Sequence, residues 1–353
     1  MRVLIVGAGP TGLTAAVELA RQGLKPKIID QRSNLSSLSR AVGILPKTIQ
    51  ILQKSGVSGT LLSKGIQIKN FLIYDQNQKT ASISLNTKNK ESGYLIGLPQ
   101  DRTEAALRDN LLNLGVKVEY GTKLENLYQE SDKVIASLEN GAEIPFDLVI
   151  GADGIKSKTR ECIGVDYYGF DLQETWSIAD ITSLTWQHAV EFTLCTSHDG
   201  TVAVVIPLDK NRYRVISNTE DAIEALGIPI EVHELLYQGQ FQISIRQARN
   251  YCKGQVYLAG DAAHCQSPVG GRGMNLGIAD AAILANRIIN GNLDSYEKNR
   301  QVEAKRNIQQ SERLRKIFTT KSYFTYYLRT GILKIVDSQP KLQSQIAKRF
   351  LDI

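Results

Sequence analysis

RVLIVGAGPTGLTAAVELARQGLKPKIIDQR, residues 2–32, decides the fold. Val3 to Val6 is a short apolar run suited to a buried strand, and Gly7-Ala8-Gly9-Pro10-Thr11-Gly12 follows it as a G-x-G-x-x-G turn. Apolar periodicity predicts a helix from about Thr11 to Gln22, then a second strand, Lys27 to Ile29, ending at Asp30. Each glycine has a mechanical reason: Gly7 for the tight turn, Gly9 for close approach of a pyrophosphate, Gly12 for packing of helix on strand. Asp30, eighteen residues beyond Gly12, can accept hydrogen bonds from the hydroxyls of an adenosine ribose.

A second stretch, VYLAGDAAHCQSPVGGRGMNLGIADAAILANRIING, residues 256–291, reads as an apolar strand, a Pro/Gly-rich loop and an amphipathic helix starting near Arg272. Leu276, Ala279, Ala282, Ile283 and Ile288 recur at helical spacing, and Gly291 is placed as a C-cap. A helix start exposes unpaired N–H groups and partial positive charge, so a glycine-rich approach to it seats an anionic or electron-rich group.

Between these two stretches the pattern changes several times. Pro46 opens a short helix, and Phe71 to Tyr74 and Ala81 to Leu85 flank a turn at Asp75-Gln76-Asn77-Gln78. Asp101 and Glu104 have the spacing of a capping box for the helix carrying Leu107 and Leu111. Val116 to Tyr120 is a strand, followed by a meander of Leu124 to Gln129, Val134 to Leu138 and Ile144 to Phe146, then the strand Leu148 to Ile150 and the turn Gly151-Ala152-Asp153-Gly154. Residues 165–250 alternate as strands around Thr175 to Ile181, Ala189 to Cys195, Thr201 to Pro207 and Arg212 to Asn218, an antiparallel sheet with one face available to cover an apolar ligand. Ala222 to Leu226 and Ile230 to Tyr237 read as helical, as do Tyr296 to Phe318, Tyr323 to Asp337 and a short piece after Pro340.

At 353 residues, 42% hydrophobic and 22% charged, the chain has room for about two domains and the composition of a globular, cytoplasmic protein. No apolar run approaches the roughly 20 residues that cross a bilayer, and the N-terminus enters a strand directly, so export and membrane spanning are disfavoured. Cys162, Cys195, Cys252 and Cys265 form no C-x-x-C pair, and His188, His198, His233 and His264 lack ligand spacing, so no protein-held metal is expected. The net charge of +6 divides unevenly: residues 305–353 carry +8, and everything before them −2.

Three segments, GAGPTG with Asp30, GADGIKSKTR at 151–160 and GDAAHCQSPVGGRGMNLGIADA at 260–281, resemble in sequence and order the FAD-dependent aromatic-ring hydroxylases of the p-hydroxybenzoate hydroxylase fold. The match covers roughly residues 1–300. It implies an α/β architecture: a Rossmann-type FAD-binding domain (1–70, 97–164 and 251–300), an inserted antiparallel β-sheet substrate domain (71–96 and 165–250) and a helical C-terminal tail (301–353). It also implies that Gly7, Gly9, Pro10, Thr11 and Gly12 seat the FAD pyrophosphate, and that Asp30, with Gln31 and Arg32, meets the adenosine ribose. Arg40, Gln100 and Leu124 would line the cofactor, and Asp153-Gly154 would lie near both FAD and NAD(P)H. Asp261 would bind the ribityl chain or pyrophosphate, and Pro268, Gly271, Gly273, Met274 and Asn275 would sit at the isoalloxazine ring. The implied reaction is reduction by NADH or NADPH, addition of O2 to give a flavin hydroperoxide, and hydroxylation of an aromatic, polyketide- or quinone-like ring.

That chemistry places little demand on acids or bases, because the flavin performs the difficult step, and no catalytic nucleophile or general base is assigned. His264 and Cys265 are expected to pack or to support the loop. A flavin dehydrogenase or reductase on the same fold, and a flavin-carrying binding protein without turnover, are the alternatives; the W-x-W-x-I-P signature of a halogenase is missing. The tail loosely resembles that of ubiquinone-pathway hydroxylases. Its basic residues, interleaved with Phe318, Tyr323, Phe324, Tyr326, Tyr327 and Leu328, form either a covering helix pair with aromatics inward or a peripheral contact with anionic lipid at the inner face of the membrane. No nucleic-acid-binding motif is present.

Overall fold

The computed structural model describes residues 1–34, 41–85 and 94–351. The βαβ unit forms as expected: strand Val3–Val6, helix Pro10–Ala20 and strand Lys27–Asp30, the strands paired in parallel. Apart from Lys27 at the start of the second, these strands are buried along their length, as sheets covered on both faces require. Leu148–Gly151 pairs with Val3–Val6 on its other edge and Val256–Leu258 pairs with Leu148–Gly151, both in parallel. Val118–Tyr120 and Cys252–Lys253 close the two ends of this six-stranded sheet. Leu124–Glu130, Lys133–Leu138 and Glu143–Phe146 form the expected antiparallel meander, with Ser131 and Gly141 at positive φ in its turns. The core of this part joins the parallel strands to the inner faces of helices Pro10–Ala20, Gln100–Asn113 and Gly273–Asn290.

An eight-stranded sheet forms the second layer. The hairpin Asn70–Asp75 and Gln78–Ser84 turns through Gln76 and Asn77, both left-handed, as a two-residue hairpin turn demands. It joins the sheet by a parallel pairing with Glu191–Thr196, a departure from a purely antiparallel arrangement. Glu234–Ala248 is a strand of 15 residues lying along Tyr167–Thr182, not the helix expected over residues 230–237. Backbone pairing along this long partner prevails over the local helical pattern of Glu234-Leu235-Leu236-Tyr237. The capping box also fails: the helix begins at Gln100 behind Pro99, and Glu104 turns to Gln100 and Arg32 instead.

Helices Tyr296–Phe318, Tyr323–Ser338 and Pro340–Leu351 complete the described chain. The last two cover the hairpin, burying Leu333, Val336, Ala347 and Leu351 against Phe71, Ile73 and Ile83. Of the two readings of the tail, inward-facing aromatics hold for the buried Tyr326 and the half-buried Phe318, while Tyr323, Phe324 and Tyr327 are exposed, as is Leu328.

Candidate functional site

The three motifs meet at the carboxyl ends of the parallel strands, where open α/β sheets place their ligands. Gly7 has φ +100°, and a Cβ there would stand 2.4 Å from the Ala152 carbonyl oxygen, so the first turn lies against the second motif. A Cβ on Gly12 would stand 1.9 Å from the Gly7 oxygen, which confirms its packing role. Thr11 reaches the third motif: its hydroxyl would lie 2.5 Å from a Cβ on Gly260 and 2.4 Å from one on Gly277. Arg160 ties the second motif to the third, donating to the carbonyls of Ala262 (2.9 Å) and Ile155 (2.7 Å) with its guanidinium 3.9 Å from the centre of the Tyr167 ring. The Tyr167 hydroxyl in turn donates to the Asp261 carbonyl.

Two helix N-termini, at Pro10 behind Gly9 and at Gly273 behind Arg272, face this junction without a side-chain cap. Around them the glycines are open: a Cβ on Gly9, Gly154, Gly271 or Gly273 would touch nothing within 4 Å. The open cradle, two positive helix ends and a Gly-rich approach fit an extended dinucleotide, its central pyrophosphate at the first helix start and an electron-accepting ring at the second. Beside Pro268, both amide atoms of Gln266 are buried without a partner, a second sign of a polar group to be met there.

Several expected contact residues turn out to have side chains committed to protein. The Asp30 carboxylate accepts from the N–H of Ala8 (2.7 Å) and of Arg32 (2.8 Å) and pairs with the Arg32 guanidinium, which also reaches Glu104. Burial pushes the Glu104 carboxyl above its usual range, against the opposing pull of Gln100 and Arg32. Gln100 accepts from the Ala41 N–H and donates to Glu104, fixing its loop rather than standing alone. Asp153 accepts from Ser157, Thr159 N–H and the Thr159 hydroxyl, so it organises the start of helix Lys158–Cys162, and burial raises its pKa. Leu124 lies in the core and Gln31 is exposed. Arg40 lies outside the described residues.

Asn275 is as heavily engaged as Asp30. Its oxygen accepts from Leu45 N–H and the Thr48 hydroxyl, and its amide donates to the carbonyls of Gly43 and Gly271. It therefore staples residues 43–48 to the loop in front of helix Gly273–Asn290. Any contact it makes with a ring at that loop is through backbone.

A buried network not anticipated from sequence holds the third motif in place. Asp280 accepts from the Gly260 N–H (3.0 Å), lies 2.6 Å from His264 Nε2 and accepts from Arg300 Nε at 2.5 Å. Burial opposes its ionisation, but Arg300, His264 and the Gly260 N–H outweigh that and hold its pKa below the ordinary value. Tyr251 stacks on the His264 ring. Cys265 donates to the Ser244 carbonyl, and burial pushes its thiol up to about 12, in keeping with a packing role.

The eight-stranded sheet turns one face towards the loop. Trp176, Leu172, Ile178, Ile216, Ile243 and Ile245 form an apolar cluster against which Val269 packs, and the Trp176 indole N–H is buried without a partner. By the two-residue alternation Asp180 shares this face, paired through both oxygens with the buried Arg214 and also with Arg212. Strand Val202–Asp209 abuts strand Leu95–Gly97 at Gly97, where a Cβ would stand 2.5 Å from the Pro207 oxygen, and Arg102 pairs with Asp209. Among the described residues no group of three or more His, Cys, Asp or Glu is placed to hold a metal. No helix among them is long and apolar enough to cross a membrane.

Comparison with known proteins agrees with this geometry. The chain matches the family described as FAD binding domain over residues 1–234 and 218–311. It is 30% identical to 6-methylpretetramide 4-monooxygenase of Streptomyces rimosus, over 80% of this chain and 55% of that one. It is 31% identical to pentachlorophenol 4-monooxygenase of Sphingobium chlorophenolicum, over 79% and 56% respectively. The chain thus spans little more than half the length of these relatives. Among solved structures, p-nitrophenol 4-monooxygenase of Pseudomonas putida DLL-E4 superposes with a TM-score of 0.90, covering 99% of this chain and 96% of that one; at 23% identity the likeness is one of fold.

Proposed function

We propose that this chain, which belongs to the FAD binding domain family, is an NAD(P)H-dependent monooxygenase that hydroxylates an aromatic, polyketide- or quinone-like ring with one atom of O2. The observation that carries the reading is the wedge of Thr11 between Gly260 and Gly277, which brings the two uncapped helix starts to one crevice. In this reading Gly7, Gly9, Pro10, Thr11 and Gly12 hold the pyrophosphate. Asp30 and Arg32 lie on the adenosine side, Asp261 near the ribityl chain, and residues 268–275 along the pyrimidine edge of the ring. Bound FAD would supply the redox chemistry, accepting reducing equivalents from the nicotinamide and activating oxygen.

What the chain itself contributes is position and dryness. The helix start at Gly273 favours negative charge at the adjacent edge of the ring, and Asp280 and Asn275 keep that loop from shifting. The apolar face carrying Trp176, Ile178 and Ile216 excludes water and lies flat against a substrate ring, while the Trp176 N–H and the Gln266 amide give its oxygen substituents donors. No side chain is asked to act as acid or base. We assign residues 1–70, 97–164 and 251–300 to the cofactor-holding part and 71–96 with 165–250 to the substrate-covering part. We place the protein in the cytoplasm, with peripheral contact to the inner face of the membrane through residues 301–353.

A screen of phenols, quinols and tetracyclic polyketides for accelerated NAD(P)H oxidation, with isotopically labelled O2, tests the reading. Label in the product supports hydroxylation. Substrate turnover without label makes the protein a flavin dehydrogenase or reductase, and yellow protein never reduced by either nucleotide makes it a flavin carrier.

A further inference from the structure

Helix Tyr323–Ser338 has two unlike sides. Its inner side is anchored: Tyr326 donates to Asp75 at 2.7 Å, Arg329 bonds Asp75 and the Phe318 carbonyl, and Leu333 and Val336 enter the core. Its outer side carries Phe324, Leu328, Ile332 and Ile335 in one stripe at helical spacing, 79%, 53%, 50% and 52% exposed, with Tyr323 and Tyr327 along one flank. Such a contiguous apolar face, without a partner among the described residues, marks a contact surface.

Charge decides what the face meets. Lys334 on this helix, Lys321 two residues before its start and Lys316 near the end of the preceding helix are all exposed. The helix holds a single carboxylate, Asp337, and that one is turned away to accept from the Ser82 N–H. An antiparallel pairing of two copies would bring Lys321, just before one helix, towards Lys334 of the other, with no acid from either helix between them. A surface apolar within and negative at its rim satisfies both features, and amphipathic helices with aromatic and lysine flanks lie in the plane of such a surface.

We infer that the outer face of helix Tyr323–Ser338 is an in-plane docking surface for an anionic lipid bilayer, inserting Phe324, Leu328, Ile332 and Ile335 with Lys316, Lys321 and Lys334 at the headgroups. This deepens the peripheral contact proposed above and does not depend on the hydroxylation chemistry. It seats the enzyme where apolar ring compounds concentrate.

The test is flotation of the full chain with phosphatidylcholine vesicles, with and without phosphatidylglycerol, in low and high salt, beside light-scattering mass measurement. The expected result is flotation with the anionic vesicles only, weakened by salt. Phe324→Glu with Leu328→Glu should abolish it, and each lysine changed to glutamine should weaken it about fivefold. Circular dichroism and melting should be unchanged, because these side chains point outward. No flotation of the unaltered chain overturns both the docking face and the peripheral contact. Flotation that survives the double substitution overturns this face while leaving the contact in place. A doubled mass that the substitutions halve, without flotation, makes the face an interface between copies and overturns the proposal.

Discussion

Asp280 Oδ2 stands 2.6 Å from His264 Nε2 at full burial, and the same carboxylate receives the Gly260 N–H and the Arg300 guanidinium. One acid therefore ties the Gly260 turn and the His264 loop to helix Tyr296–Phe318. Removing its charge leaves a buried arginine without its carboxylate, which typically costs about 3 to 5 kcal/mol.

Asp280→Asn is accordingly expected to lower the melting temperature sharply and to weaken FAD retention. The pH dependence has a definite sign. Because the folded pKa lies below the ordinary 3.8, ionised Asp280 contributes its stability in full above that value and loses it as pH falls through the lower folded value. Acid titrations of stability should show this loss in the unaltered protein and not in the variant. Coincident profiles would refute the role.

Gly9 and Gly12 separate cofactor contact from packing. A Cβ on Gly12 would collide with the Gly7 oxygen, so Gly12→Ala should destabilise the fold by about 1 to 3 kcal/mol. Gly9 faces open space, so Gly9→Val should melt close to the parent yet bind FAD at least about tenfold more weakly, a difference of about 1.4 kcal/mol. Melting curves and FAD titrations of both variants check the contrast. Equal FAD affinity in Gly9→Val would place the pyrophosphate elsewhere.

Asn275 makes four hydrogen bonds across two segments of the chain, two of them to carbonyls that lose a donor when its amide is removed. Asn275→Ala should cost about 2 to 6 kcal/mol, at about 1 to 3 kcal/mol for each of the two buried groups it leaves unsatisfied, the Leu45 N–H and the Thr48 hydroxyl. Asn275→Asp should fare little better, because its added charge meets the carbonyls of Gly43 and Gly271. Chemical denaturation measures this, and a loss below about 1 kcal/mol would show that the staple is dispensable.

Burial pushes the thiols of Cys195, Cys252 and Cys265 up to about 12 and raises that of Cys162. The native protein should therefore react slowly with disulfide reagents near neutral pH and release all four thiols only on unfolding. A fast stoichiometric reaction of any one in the native state would contradict the packing role.

The parallel-sheet layer was legible because its signals are local: Val3 to Val6, the glycine turn and Asp30 each declare a conformation within a few residues. The glycine roles follow from steric need, and the structure shows the collisions at Gly7 and Gly12 that make it. Strand Glu234–Ala248 was not legible, since its polar, glutamine-rich sequence becomes extended only by pairing with Tyr167–Thr182. The Asp280–His264–Arg300 network was hidden for a similar reason. His264 and Asp280 were in view within one motif, but Arg300 comes from the next helix, and no spacing rule connects them. The commitments of Asn275, Gln100 and Asp153 to protein partners were equally out of reach, because residue type says what a side chain can bond, not which neighbour reaches it first. Charge and aromatic content marked the tail, while the exposure of Phe324 and Leu328 depended on which side Asp75 anchors.

In the proposed site the glycine turn at residues 7–12 and the loop at 260–275 hold one dinucleotide between them. A crystal structure of the protein with bound FAD tests it most directly. The expected density places the pyrophosphate over Gly9 to Gly12 and the isoalloxazine edge at Gly271 to Gly273; FAD bound away from either segment would contradict the account.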